Sequence, residues 1–281
     1  AILIFLYTRN KIAKRYFIFS IGFLVLLDLW MVDKRYLNND TDGYHWIKSN
    51  DKRTPFRPSA ADIQILNWEM NSNQALSESI NQNLANLQKQ SNSKTQDNQI
   101  EQANLAFQTL NFGTDYRVLS LDNPFANASI SYYHKSIGGY HGAKLKRYAE
   151  LIDFRLNREY QDLIKAIQSK SDAAIDSSLR NNFGALNMLN TKYIIYNPEA
   201  APIRNPYANG SAWIIKNIEA VKNADEEIKA LDMINPANTA VVEQSFSNLM
   251  PSDFKYDSLA TINLKLYRPN HLIYESNSGT E

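Results

Sequence analysis

Ser131-Tyr-Tyr-His-Lys-Ser-Ile-Gly-Gly-Tyr-His-Gly-Ala-Lys-Leu-Lys-Arg-Tyr148 joins a strand-like run to a long amphipathic run, and it sets four Tyr, two His, three Gly and four cations in the junction. Glycine lets a backbone turn tightly and approach a ligand closely. A helix beginning near Ala143 turns its unpaired N–H groups back toward the glycines, an arrangement that suits an anion. Lys144, Lys146 and Arg147 then fall in the first helical turn, where the helix dipole favours Asp or Glu. A sequence shaped for stability alone would place acids there. Two readings follow. Either an anionic partner, a phosphate or a carboxylate, is held by N–H groups and these side chains, or the cations face water and pair with acids elsewhere.

Outward from this stretch, Leu145, Tyr148, Ala149, Ile152, Leu156, Tyr160, Leu163 and Ile167 recur at steps of three and four, which predicts a core-facing helical stripe. Arg155, Arg158, Glu159 and Asp162 fall on the opposite face and read as solvated. On the N-terminal side, Tyr116 to Leu121 predicts a strand, with a turn after it at Asp122-Asn-Pro124. Further strands are expected at Lys192–Tyr196, Ala212–Lys216, Thr239–Glu243, Ala260–Tyr267 and His271–Ser276, and helices at Leu179–Leu189 and Asn223–Leu231. The last two strands alternate apolar and polar residues, as one-sided antiparallel strands do. Ser59-Ala-Ala-Asp62 marks a helix start. Residues from Met70 to Leu110 are rich in Asn, Gln and Ser, and read as two polar helices with a mobile link around Lys89–Asn98, an insertion rather than a site. Strands and helices mix without a regular βαβ repeat, so the expected class is α+β.

The N-terminus carries two apolar runs, Ala1–Tyr7 and Tyr16–Val32, separated by Thr8 to Arg15 with four cations and no acid. The second run, seventeen residues broken only by Asp28 and a few small or neutral ones, stands at the short end for crossing a hydrocarbon core. A signal peptide is the rival reading. Against it, an apolar run precedes the basic segment, and no small-residue cleavage site follows Leu27. A buried hairpin of a water-soluble protein is the other alternative. The reading adopted is a transmembrane helical region over 1–35 with a short basic turn at 8–15. The positive-inside rule puts that turn in the cytoplasm. Residues 36–281 then form an extracytoplasmic α+β domain with the polar helical insertion at about 70–112. Trp30 and Tyr36 fall near the interface. Asp28 is an intramembrane acid, either a functional group in its own right or one close enough to the outer end to reach water. Asp33–Pro58, punctuated by Pro and Asn, reads as a loop leaving the membrane.

Thirty Lys and Arg against 29 Asp and Glu leave no basic field to attract nucleic acid. The absence of cysteine excludes thiolate metal sites, disulfides and cysteine catalysis. Neither a nucleophile elbow, a zinc-protease helix nor a phosphate-binding loop motif occurs. His134 and His141 stand seven residues apart with no third ligand, short of the four that a structural zinc takes. His45 and His271 are isolated. The glycosylation-type triplets at Asn39, Asn127 and Asn209 are expected by chance in so Asn-rich a chain. A chain that opens Ala1-Ile-Leu and closes on a polar tail reads as a piece of something longer.

Leu27-Asp-Leu-Trp30 and Asp33-Lys-Arg-Tyr-Leu37, then Tyr116-Arg-Val-Leu, Asn123-Pro-Phe, the opening stretch through Lys144, Leu186-Asn-Met-Leu-Asn-Thr-Lys-Tyr193, Asn209-Gly-Ser-Ala-Trp213 and Arg268-Pro-Asn-His271 follow one another in an order that resembles the YfhO family of bacterial polytopic membrane proteins. The resemblance spans most of the chain. It implies a bacterial cytoplasmic (inner) membrane protein with its main domain on the outer, periplasmic side. Members resemble glycosyltransferases of the C superfamily, which use lipid-phosphate-linked sugars. The implied partners are the lipid bilayer and a polyprenyl-phosphate-linked sugar or a cell-envelope glycan acceptor. No cofactor is implied for this piece, although the chemistry of the complete enzyme allows a divalent metal. The family's catalytic acid is expected upstream of Ala1, so this piece alone should not turn over substrate. On that reading Lys144, Lys146 and Arg147 meet phosphate, Tyr133 and Tyr140 stack on a sugar, and His134 or His141 bonds a hydroxyl. Lys135, Gly138 and Gly139 complete the candidate set. The alternative is a non-catalytic envelope-binding or assembly domain in which the motif packs against protein. Burial of the Tyr and His side chains with internal partners favours the alternative, and an open cleft favours the first.

Overall fold

Apolar residues on every side of one helix govern the N-terminal part. The computed structural model describes residues 2–36, 56–90, 96–249, 255–268 and 270–279, and the chain divides into units over Ala1–Pro55 and Phe56–Glu281. In the first unit α1 (Ile2–Thr8) is followed by α2 (Lys14–Tyr36). Between them Asn10 takes the left-handed conformation at φ 56°, which Asn tolerates better than most residues. The Tyr7 and Phe17 rings stack at 4.4 Å across this turn. No residue of α2 is buried, and the helix is long and apolar enough to cross a membrane. At 23 residues it spans roughly 35 Å, against about 30 Å of hydrocarbon. Lys34 and Arg35 in its last turn complement the helix dipole. Asp33–Tyr36, expected as the start of a loop, is therefore helical. The rest of that loop up to residue 55, with Asn39 and His45, and the polar link at 91–95 lie outside the described residues.

The second unit is α+β. Three helices come first: α3 (Ala60–Ser72), α4 (Gln74–Gln90) and α5 (Gln96–Gly113). Ser59 starts α3 with a capping box, its hydroxyl accepting from Asp62 N–H while the Asp62 carboxylate accepts from Ser59 N–H. The expected polar insertion forms a packed pair of helices, α4 and α5, whose Leu76, Ile80, Phe107 and Leu110 share a core with Leu66 of α3. Strand β1 (Arg117–Ser120) leads through the junction stretch to α6 (Lys146–Leu151), a π-helical turn at Ile152–Leu156, α7 (Asn157–Gln168), α8 (Asp172–Asn181) and α9 (Gly184–Met188). Strand β2 (Thr191–Ile195) then pairs parallel to β1, and β3 (Ile203–Arg204) pairs antiparallel to β2.

This sheet is covered on both faces, as side-chain alternation requires. Val118, Tyr193 and Ile195 face Ala61 and Ile65 of α3. Leu119 and Ile194 face Ile152, Leu156, Leu163, Phe183 and Leu186. Each such fully buried aliphatic or aromatic side chain contributes about 1.5–3 kcal/mol.

Strand β4 (Asn217–Val221) crosses through α10 (Ala224–Ala230) to a parallel partner, β5 (Thr239–Glu243). The strand expected at Ala212–Lys216 begins five residues later, because Ala212–Ile215 turns to bring Trp213 Nε1 onto the Pro236 carbonyl at 3.0 Å. Strands β6 (Thr261–Arg268) and β7 (His271–Asn277) form the expected antiparallel hairpin. The single helix expected over Leu179–Leu189 is two, α8 and α9, broken at Phe183.

Candidate functional site

The first half of the junction stretch is built into the sheet. Val118 N–H donates to Lys135 O at 2.8 Å, and Ile137 N–H donates to Val118 O at 3.2 Å. Residues 135–137 therefore run beside β1 as a short parallel edge, and Tyr133 lies before that edge, at the end of a 3-10 turn over Ser129–Tyr132. Tyr133 enters the helical-hairpin core, while Ile137 enters the core beneath α6–α9.

Burial removes Tyr133 and His134 from any open cleft, each being 3% exposed. The Tyr133 ring lies 4.9 Å from Phe107, and its hydroxyl donates to the Phe56 carbonyl. Burial pushes the Tyr133 hydroxyl up from the usual phenol range, with the Asp62 charge adding to it. His134 Nε2 lies 3.1 Å from Asp62 Oδ1, with its ring edge-on to Phe107. Burial acts upward on the Asp62 carboxyl, but the hydrogen bond and charge of His134, with the N–H and O–H of Ser59, outweigh it and hold Asp62 below the usual carboxylate range. The Lys135 ammonium donates to the carbonyls of Asn111 and Thr114 at the end of α5 and sits 4.3 Å from the Tyr267 ring centre. Burial lowers Lys135 to about 8, with Asp115 opposing and Arg117 assisting. All three side chains thus take internal partners, while His134 Nδ1 is buried with no hydrogen-bond partner among the described residues.

The glycines answer to backbone rather than to a ligand. A Cβ on Gly138 would stand 1.9 Å from the Pro124 carbonyl oxygen. Gly139 adopts φ +115°, and its N–H donates to the same oxygen at 3.0 Å. Together they lock the stretch against the Asp122–Phe125 turn.

The second half is open. Tyr140 is 77% exposed, and Leu145, expected in the core stripe, is 78% exposed. The reason is that the helix begins at Lys146 instead of Ala143, leaving Leu145 at the N-cap. His141 Nδ1 accepts from Ala143 N–H at 3.1 Å. Lys144 precedes the helix, and its ammonium donates to the Phe125 carbonyl at 3.0 Å. Lys146 stands in solvent, 3.6 Å from Glu150 one turn on. The Tyr148 hydroxyl donates to the Ile137 carbonyl.

Arg147 differs from the other candidates: it lines a groove of 690 Å³. Leu151 and Phe154 follow it along the same wall, Trp213 and Ile215 form a second, and Ile228 and Val241 a third. Glu150, Asp225, Glu227 and Lys229 also border it. The volume lies within the range of about 300–1,000 Å³ for small-molecule sites, which are mostly apolar with a few placed polar groups. Sequence reasoning missed this site. Its signals were Phe154, an aromatic off the core stripe, and Trp213 in a singled-out motif.

Glu159 corrects a further expectation. It is buried instead of solvated, and accepts from the N–H groups of Ala185 and Leu186 at 2.8 and 2.9 Å at the start of α9. Burial raises its carboxyl, with those two N–H groups and Arg155 opposing. Among the described residues no cluster of three or more His, Cys, Asp or Glu forms a metal site. Asp28 lies on the exposed surface of α2.

Comparison with family models, with curated proteins and with solved structures finds no match for this chain.

Proposed function

We propose that the chain is the membrane-anchored, extracytoplasmic part of a bacterial inner-membrane protein similar to the YfhO family, and that its α+β unit binds a lipid-phosphate-linked sugar without itself performing the chemistry. The observation that carries the reading is Arg147 lining a largely apolar groove. An isoprenoid or acyl chain suits walls of Leu151, Phe154, Trp213 and Ile228, and the Arg147 fork suits phosphate oxygens by charge-assisted hydrogen bonds. The α2 helix, apolar on all sides with none of its residues buried, supports the anchor. Arg9 and Lys11 before it, with Lys14 and Arg15 in its first turn, support a cytoplasmic turn. Catalysis, on the family resemblance, belongs to an acid elsewhere in the complete protein.

The test is retention of a polyprenyl phosphate by the full chain in nanodiscs, read by native mass spectrometry against the neutral polyprenol. Arg147→Ala should weaken phosphate binding about 10-fold or more, the scale of one lost charge-assisted bond, and leave polyprenol binding unchanged. Equal retention of both lipids by both proteins would remove the proposal.

One observation favours the other reading, an assembly domain. Tyr133, His134 and Lys135 are spent on joining the helical hairpin to the sheet, so half of the motif packs against the chain itself. That role and ligand binding by the groove are compatible, since they use different residues.

A further inference from the structure

Leu145 and its neighbours are placed against local stability. Leu145 occupies the N-cap of α6 with no side-chain hydrogen bond, where Ser, Thr, Asp or Asn would contribute about 1 kcal/mol. Lys146 and Arg147 then put positive charge at the positive end of the helix. Tyr140 and Leu145, both more than three-quarters exposed, flank a turn with Gly142 and Ala143 at its centre. No Asp or Glu occurs from Ser131 to Ala149. Isolated apolar side chains on a surface need no explanation. An amphipathic Tyr and a Leu bracketed by cations, at a helix start that fits neither, do need one.

We propose that the exposed face of residues 140–147 is an interfacial contact for anionic lipid headgroups. Leu145 and the Tyr140 ring enter the headgroup layer, where amphipathic rings are favoured. Lys146 and Arg147 meet lipid phosphates, each near-surface cation being attracted to an anionic leaflet. The inference rests on the proposed membrane reading in one respect: α2, as an anchor, tethers the second unit to the same bilayer. That tether makes weak intrinsic affinity sufficient. One hydrogen bond holds Lys144 on Phe125 O, so it does not take part, whereas the exposed Lys146 exchanges its weak 3.6 Å pair with Glu150 for a lipid phosphate.

The chain has no cysteine, so a single introduced thiol carries a unique label. The full chain with Tyr140→Cys, and separately with Leu145→Cys, is labelled with an environment-sensitive fluorophore and placed in phosphatidylcholine or phosphatidylglycerol-rich nanodiscs. Gly22→Cys reports the depth of α2. The expected result is a blue-shifted emission at both loop sites, quenched by headgroup-level nitroxide lipid in the anionic discs. Lys146→Glu with Arg147→Glu should lower that partition by more than roughly 30-fold, the share of the two lost cations alone. An aqueous signal at both loop sites while the Gly22→Cys label reports bilayer overturns the inference and spares the anchor. A response equal in the two lipids, or unmoved by the charge reversal, also overturns it. If Gly22→Cys is aqueous yet the loop sites respond to phosphatidylglycerol vesicles, the anchor falls and the contact stands. If every site is aqueous, both fall.

Discussion

His134 and Asp62 meet at 3.1 Å, both buried, and the contact ties the junction stretch to the first turn of α3. Asp62 already closes the Ser59 capping box, so one carboxylate serves the helix start and the layer contact together. His134→Ala leaves Asp62 Oδ1 buried without its partner, while Oδ2 keeps Ser59, and should cost about 3 kcal/mol of unfolding free energy. Because the folded Asp62 carboxyl is held below its ordinary value, its stabilisation is present above the unfolded value and is lost as pH falls through the folded one. Urea titrations of the wild type should therefore weaken on acidification below about pH 4 more steeply than those of Asp62→Asn.

Gly138 and Gly142 give opposite predictions for one change. Gly138→Ala drives a methyl into the Pro124 carbonyl, whereas Gly142 has nothing within 4 Å. The first should destabilise by about 3 kcal/mol or more, and the second should stay within about 0.5 kcal/mol. Thermal melting of the two variants checks this.

Lys135 supplies a prediction at alkaline pH. Burial lowers its folded value to about 8, against 10.5 in the unfolded chain. Between those values the unfolded chain binds more protons, so this residue makes stability rise with pH. The gain is on the order of 1 kcal/mol after discounting for solvent. Tyr116 and Tyr193, pushed up chiefly by burial, act in the opposite sense above pH 10. The difference between wild type and Lys135→Met over pH 8–10 isolates the lysine, and parallel curves would remove the assignment.

Phe154 is more than half exposed, so its loss should affect the groove's ligand more than the fold. Phe154→Ala should lower unfolding free energy by under about 1 kcal/mol and weaken polyprenyl phosphate about 10-fold. Calorimetry for the fold and native mass spectrometry for the lipid separate the two.

Where local pattern determines structure, the sequence was readable. The Ser59–Asp62 helix start, the β5 strand and the β6–β7 hairpin stand where their residues put them, and α+β follows from their mixture. Tertiary facts were not readable. The Lys144–Arg147 run looks like a first helical turn, but the Lys144 bond to Phe125 O holds the chain extended until Leu145. Glu159 has a surface residue's chemistry and a surface residue's spacing. Only the fold of α9 brings two unpaired N–H groups to it. The candidate motif was legible as a junction but not as two halves, because the burial of Tyr133 depends on Phe107, which comes from a segment read as a polar insertion. The groove joins residues from Arg147 to Val241, and no sequence period connects them.

The central claim is that α2 crosses a bilayer and leaves the α+β unit outside the cytoplasm. Cysteine accessibility in intact bacterial spheroplasts tests it most directly, with Lys11→Cys in the basic turn and Met233→Cys on an exposed position of the second unit. A membrane-impermeant maleimide should label Met233→Cys in intact cells and Lys11→Cys only after permeabilisation. Labelling of both sites only after permeabilisation, or recovery of the chain in the soluble fraction, would contradict it.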